Sequence, residues 1–331
     1  MKIVPTTLSS VPTTGGSPLT VITVGPNSSA LRRTQLSLIL GSIASAAGSR
    51  VLYVCGDRGV GGLSSRLRGA GAYHLEHFPV EEDRNYGERL VKKASSVGAT
   101  VIIIDFGPNV LLDIKPRITL DLALSYLKTA GHHIHVLLSL VRGKAGLGED
   151  SEKFARRFER VGTVSLAFHG GHVAGECPLL DEMKSRYATF DVPSNSIAVL
   201  NLITKSGSTP FDWCSAPIEG YGRGAGMIAR TLWNVANTPV ILSMLNCQAA
   251  LPVLYAMAKD QPEPSDRGEV LKWQVRDDLL KAKSDKRIAL VAMQILALDE
   301  PDYLILAVAK KCIGLSLECR QIREKAERGD L

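Results

Sequence analysis

The stretch VGPNSSALRRTQLSL, residues 24–38, puts a turn, two hydroxyl residues and two adjacent arginines directly after the β-branched run LTVITV (19–24). A buried strand, a tight turn and a helix N-terminus in that order make an anion site. The free N–H groups of the helix start carry partial positive charge, and a basic side chain adds a full one. The common phosphate-loop pattern G-x-x-x-x-G-K-[ST] nevertheless fails here. Counted from Gly25, Ala30, Leu31 and Arg32 occupy its last three places. Two acids stand at the ends of other apolar runs: Asp57 just after RVLYVC (50–55) and Asp105 closing ATVIIID (99–105). A carboxylate at a strand's C-terminal end lies where open α/β sheets bind ligands. It is also a residue type that closes turns for purely local reasons.

Other chemistry-bearing clusters read as structural. HHIH (132–135) sets His133 and His135 on one strand face, and HGGH (169–172) has Cys177 nearby. Zinc needs about four ligands, and neither pair has a second pair at a spacing that completes the set. The glycine-rich GDRGVGG (56–62) and GYGRGAG (220–226) read as loops, although Arg223 in the second could meet an anion at a following helix start. No G-x-S-x-G elbow or cysteine–histidine signature supports hydrolase chemistry.

The elements around these residues alternate. Strands are read at 19–24, 50–55, 99–105, 134–140 and 163–168. Helices are read at 33–48 (with Gly48 as C-cap), 87–98, around 120–130 and at 149–162. Strands apolar throughout and separated by helices predict a doubly wound, mostly parallel sheet covered on both faces. After about Gly220 the pattern turns helical, and QPEPSDRG (261–268) reads as a linker. The expected organisation is a flexible leader (1–17), an α/β domain (18–260) and a helical C-terminal extension (261–331).

Composition narrows the class. The 331 residues are 45% hydrophobic and 22% charged, ordinary for a globular protein with a sizeable core. Aromatics are only 5%, too few for stacking platforms along single-stranded nucleic acid. A net charge of +6 permits contact with DNA or an anionic surface without requiring it. The six cysteines form no C-x-x-C pair, which points to a reducing compartment, and Met1–Ser17 lacks a signal-peptide core. The expected location is cytoplasmic.

Laid over residues 21–57 without a gap, the chain resembles the ParA/MinD family of deviant-Walker ATPases. VITV takes the family's strand, and AAGSRVLYVCGD is similar to its next strand and D-x-D, with Cys55 replacing the first acid. ATVIIIDFGPN resembles its Walker B segment, and FDVPSNSIAVLNLITKSGSTPFDW (190–213) is a weaker echo of a late stretch. The resemblance implies that Ser28 stands at the signature-lysine position, Ser29 and Ala30 at two glycines, and Arg32 at the third. It puts Arg33 in place of the loop lysine and Thr34 at the metal-binding threonine. Ser29, Ala30, Arg32, Arg33, Thr34 and Gln35 are then the nucleotide-binding set. Asp57 and Asp105 are the catalytic pair, with Thr34 and Asp105 holding Mg²⁺ through water.

These replacements matter chemically. Arginine keeps lysine's charge but is bulkier and planar, and a side chain at position 32 crowds a turn built for glycine. The implied cofactors are ATP with Mg²⁺, or none if the site is a pseudo-ATPase. The implied role is positioning or segregation, as in plasmid partition or conjugative transfer, with weak, atypical or lost hydrolysis. The alternative is a non-catalytic adaptor that keeps the fold and binds a protein. Expected partners are a second copy, non-specific DNA and a protein bound by the C-terminal helices. A membrane is disfavoured, because RQIREKAERGD (320–330) has a poor apolar face.

Overall fold

The structure is a computed structural model. It describes residues 17–25, 30–56, 63–67, 74–107, 113–141, 147–169, 178–193, 209–215, 222–259 and 303–328, with scattered single positions at 110 and between 275 and 295. Seven strands form one sheet in the order β3-β2-β4-β1-β5-β6-β7, and every neighbouring pair is parallel. The strands are β1 (Thr20–Gly25), β2 (Val51–Cys55), β3 (His74–His77), β4 (Val101–Asp105), β5 (His133–Val141), β6 (Thr163–His169) and β7 (Ala188–Val192). From β1 the chain winds outward to β2 and β3, returns to β4, and then crosses β1 to reach β5. The winding therefore changes direction around β1, and such a reversal opens a crevice at the carboxyl ends of the strands.

Parallel strands covered on both faces need apolar side chains on both, and this chain supplies them by alternation. Ile22, Val24, Tyr53, Cys55 and Ile103 face one core, together with helix α1 (Ala30–Ala46) and buried residues of Gly222–Ala236, such as Ile228 and Leu232. Val21, Leu52, Val54, Ile102 and Ile104 face the other, under helices Tyr86–Val97 and Ile114–Thr129. A third, small cluster of Val275, Ala292, Leu306, Ala309 and Ile313 lies on the C-terminal segment, whose long helix runs Tyr303–Glu327. Among the described residues no helix is long and apolar enough to cross a membrane.

The expected parallel α/β sheet is present, and the differences from the sequence reading are local. Helix α1 starts at Ala30, three residues before the read boundary, so both arginines lie in its first turns. Its end is as read: Gly48 takes φ +83 and donates its N–H to the Ser45 carbonyl at 2.9 Å. The helix read around 120–130 begins at Ile114, with Pro116 in the first turn, where a missing N–H breaks no helical bond. Strands β3 and β7 escaped the sequence reading. They are the short sheet edges, and HLEH has no apolar run to betray it. The loop read at 220–226 is corrected, since a helix begins at Gly222. Burial of Ala225, Ile228, Ala229 and Leu232 outweighs the low helix propensity of its glycines.

Candidate functional site

Arg33 and Thr34, adjacent in sequence, meet Asp105, 72 and 71 positions further on, where β1 hands over to α1. Arg33 Nε donates to Asp105 Oδ1 at 3.1 Å, and the Thr34 hydroxyl donates to Asp105 Oδ2 at 2.7 Å. All three side chains are buried, Arg33 at 1% exposure and Asp105 at 0%. Register explains the meeting. Val24, the penultimate residue of β1, lies beside Asp105, the last of β4, and α1 starts just beyond. The first turn of α1 thus sits over the end of β4, and consecutive residues 33 and 34 both reach the one carboxylate. The Ser37 hydroxyl donates to the Arg33 carbonyl at 3.1 Å, within the same helix.

The strand ends are drawn tightly around this carboxylate. Gly56 donates its N–H to the Asp105 carbonyl at 2.7 Å. A Cβ at Gly56 would lie 3.0 Å from that oxygen and from Phe106 Cα, so a side chain there would push these strand ends apart by a few tenths of an ångström. Phe106, fully buried, donates its N–H to the Val24 carbonyl at 3.3 Å and packs on Phe158 at a centroid distance of 6.1 Å.

Of the expected set, Arg33, Thr34 and Asp105 come together, and Gln35 is buried beside them in sequence on α1. Arg32 is partly exposed, and Ala30 is the first residue of the helix. Ser28, Ser29 and Asp57 lie outside the described residues. So do His172 and Cys177 of the histidine-rich stretch, and no group of three or more His, Cys, Asp or Glu able to hold a metal occurs among the described residues. Arg223 falls in the first turn of its helix.

Sequence reasoning missed one polar pair at the same sheet edge. His169, the last residue of β6, places Nε2 2.8 Å from the Ser139 hydroxyl on neighbouring β5, both buried. Its Nδ1 is buried without a hydrogen-bond partner. Burial, and to a smaller degree the positive charge of Arg32, pushes its pKa down to about 4, so the ring is neutral at pH 7. The available signal was a serine two residues before the end of β5 and a histidine ending β6, which only the β5–β6 register, with Val141 opposite His169, turns into neighbours.

The residues present do not fit a hydrated Mg²⁺ on Asp105. Both carboxylate oxygens are already engaged, one of them by a guanidinium, and the acid has no exposed surface. A dication brought there would meet a fixed like charge at close range.

The fold and this cluster define a doubly wound α/β protein with buried polar residues at the sheet's switch region. No family profile and no curated protein matches the chain. Among solved structures it is similar to the MinD cell division protein of Aquifex aeolicus, at 14% identity and a TM-score of 0.41, covering 76% of this chain and 100% of that one. The likeness is loose, and the geometry of residues 33, 34 and 105 stands by itself.

Proposed function

We propose that this chain is a positioning or segregation protein of the ParA/MinD type, acting in the cytoplasm in plasmid partition or conjugative transfer, with ATP hydrolysis weak or lost. One observation carries the reading. Arg33 and Thr34, which the sequence resemblance aligns with a phosphate loop's lysine and threonine, meet Asp105, which it aligns with the Walker B acid, at the carboxyl edge of the sheet. The role itself comes by analogy with the fold's users, whereas the altered chemistry comes from the site. A homodimer held by protein contacts, and sequence-independent DNA contact through basic pairs such as Lys310/Lys311, belong to the same proposal.

Calorimetry with Mg-ATP and with a slowly hydrolysed analogue tests it. Weak binding with turnover far below that of a working ATPase is the expected result. Tight binding with vigorous turnover would refute the detuned site. An adaptor that binds no nucleotide is the second reading, favoured by the burial of Arg33 against Asp105. It wins if neither ligand gives heat. An Arg33→Lys variant that hydrolyses faster instead identifies a detuned ATPase.

A further inference from the structure

An arginine with 1% exposure beside an acid with none is an expensive arrangement for a fold to keep. Each ion loses its hydration, and only mutual pairing with further hydrogen bonds offsets that loss. Asp105 has both: Arg33 Nε on one oxygen and the Thr34 hydroxyl on the other. The pair is also fixed rather than opportunistic. Arg33 is carried on a helix whose next residue binds the same carboxylate, and the end of β2 closes over Asp105 through Gly56.

We propose that Arg33 is the resident counter-ion of Asp105, standing in for a divalent metal and closing this acid to Mg²⁺ and Mn²⁺. The carboxylate is neutralised from within the chain, so the cluster at the sheet edge keeps its charge balance whether or not metal is supplied. A phosphate-bearing ligand seated against the start of α1 would then be held by backbone N–H groups and protein cations, independently of metal. This last consequence rests on the functional reading above; the counter-ion role rests only on the ion pair.

Mn²⁺ alone, followed by its electron-paramagnetic-resonance signal, separates the two. Full-length wild type and Asp105→Asn are expected to take up Mn²⁺ identically, because Asp105 offers no site. Arg33→Met frees the carboxylate and is expected to gain a site about tenfold tighter than anything in wild type. Arg33→Met/Asp105→Asn should lose it again. Wild-type binding that Asp105→Asn abolishes would overturn the proposal, and so would a folded Arg33→Met protein that gains nothing.

If Arg33→Met does not fold, thermal midpoints decide. A double variant more stable than Asp105→Asn, which leaves Arg33 without its acid, supports a resident ion pair. One no more stable overturns it. Failure of the functional reading would appear instead as absent nucleotide binding, with the Mn²⁺ pattern unchanged.

Discussion

A single carboxylate organises the polar chemistry of this molecule, and its partners decide what it can do. Stripping Asp105 of Arg33, or the reverse, leaves a buried charge unbalanced, an effect of about 3–5 kcal/mol in comparable pairs. Nearby, His169 makes a separate, pH-dependent contribution. Its folded pKa of about 4 lies below the ordinary 6.5, so the unfolded chain takes up the proton first as pH falls. The stability this histidine lends is therefore complete above about pH 6.5 and disappears progressively down to about pH 4, by about 1.4 kcal/mol per pH unit. His132 and His135, also lowered by burial, act in the same direction. Urea unfolding at pH 7, 5.5 and 4.5 should thus show a steeper loss for wild type than for His169→Asn. Equal slopes would remove His169 from the account.

Helix α1 is the element on which the site depends, and its seat on the sheet is unusually close. A Cβ at Gly41 would fall 1.9 Å from the Tyr53 hydroxyl and 2.5 Å from its ring. Tyr53 is 1% exposed, and burial raises its pKa strongly, so the ring stays neutral and has little room to withdraw. Gly41→Ala is expected to destabilise by about 1–3 kcal/mol through overpacking. Adding Tyr53→Phe, which removes the nearest atom, should restore part of that loss in the same denaturation assay. The C-terminal half of α1 is tied down further by Ser42, whose hydroxyl accepts the Phe211 N–H at 3.2 Å. Phe211 belongs to the short helix Pro210–Ser215, which opens with a reciprocal cap. Thr209 Oγ1 accepts the Asp212 N–H at 3.2 Å, and Asp212 Oδ2 accepts the Thr209 N–H at 3.2 Å.

At the scale of the whole molecule, several of the basic residues that could meet DNA are paired within the chain. Arg33 is buried, Lys92 pairs with Glu88, Arg156 with Glu152 and Arg157 with Asp121. The three surface pairs contribute little to stability, since exposed ion pairs are weak. An assembly pinned by nucleotide needs a charge reaching across to a partner's phosphates. Ser28, at the position where the resemblance implies that lysine, has none. Sedimentation velocity should therefore give the same oligomeric state with and without Mg-ATP. A dimer that forms only with nucleotide would contradict the proposed protein-held assembly.

By itself the sequence determined the parallel, two-faced sheet, because runs such as VIII (101–104) and VLYVC (51–55) carry no charge and set apolar side chains on both faces, so they can be buried only between two layers of helices. It also marked the strand-end acid and the paired arginines, since charges interrupting apolar runs are visible in one dimension. Only the tertiary structure decided what those charges do. Lateral strand order sets β4 against β1 and so turns residues 33, 34 and 105 into a closed cluster, where sequence distance alone left Arg33 equally free to face a phosphate. The same holds for Ser139 and His169 and for the edge strands β3 and β7. Their placement comes from neighbours across the sheet, and hydrogen bonding between strands leaves no trace in the local order of side chains.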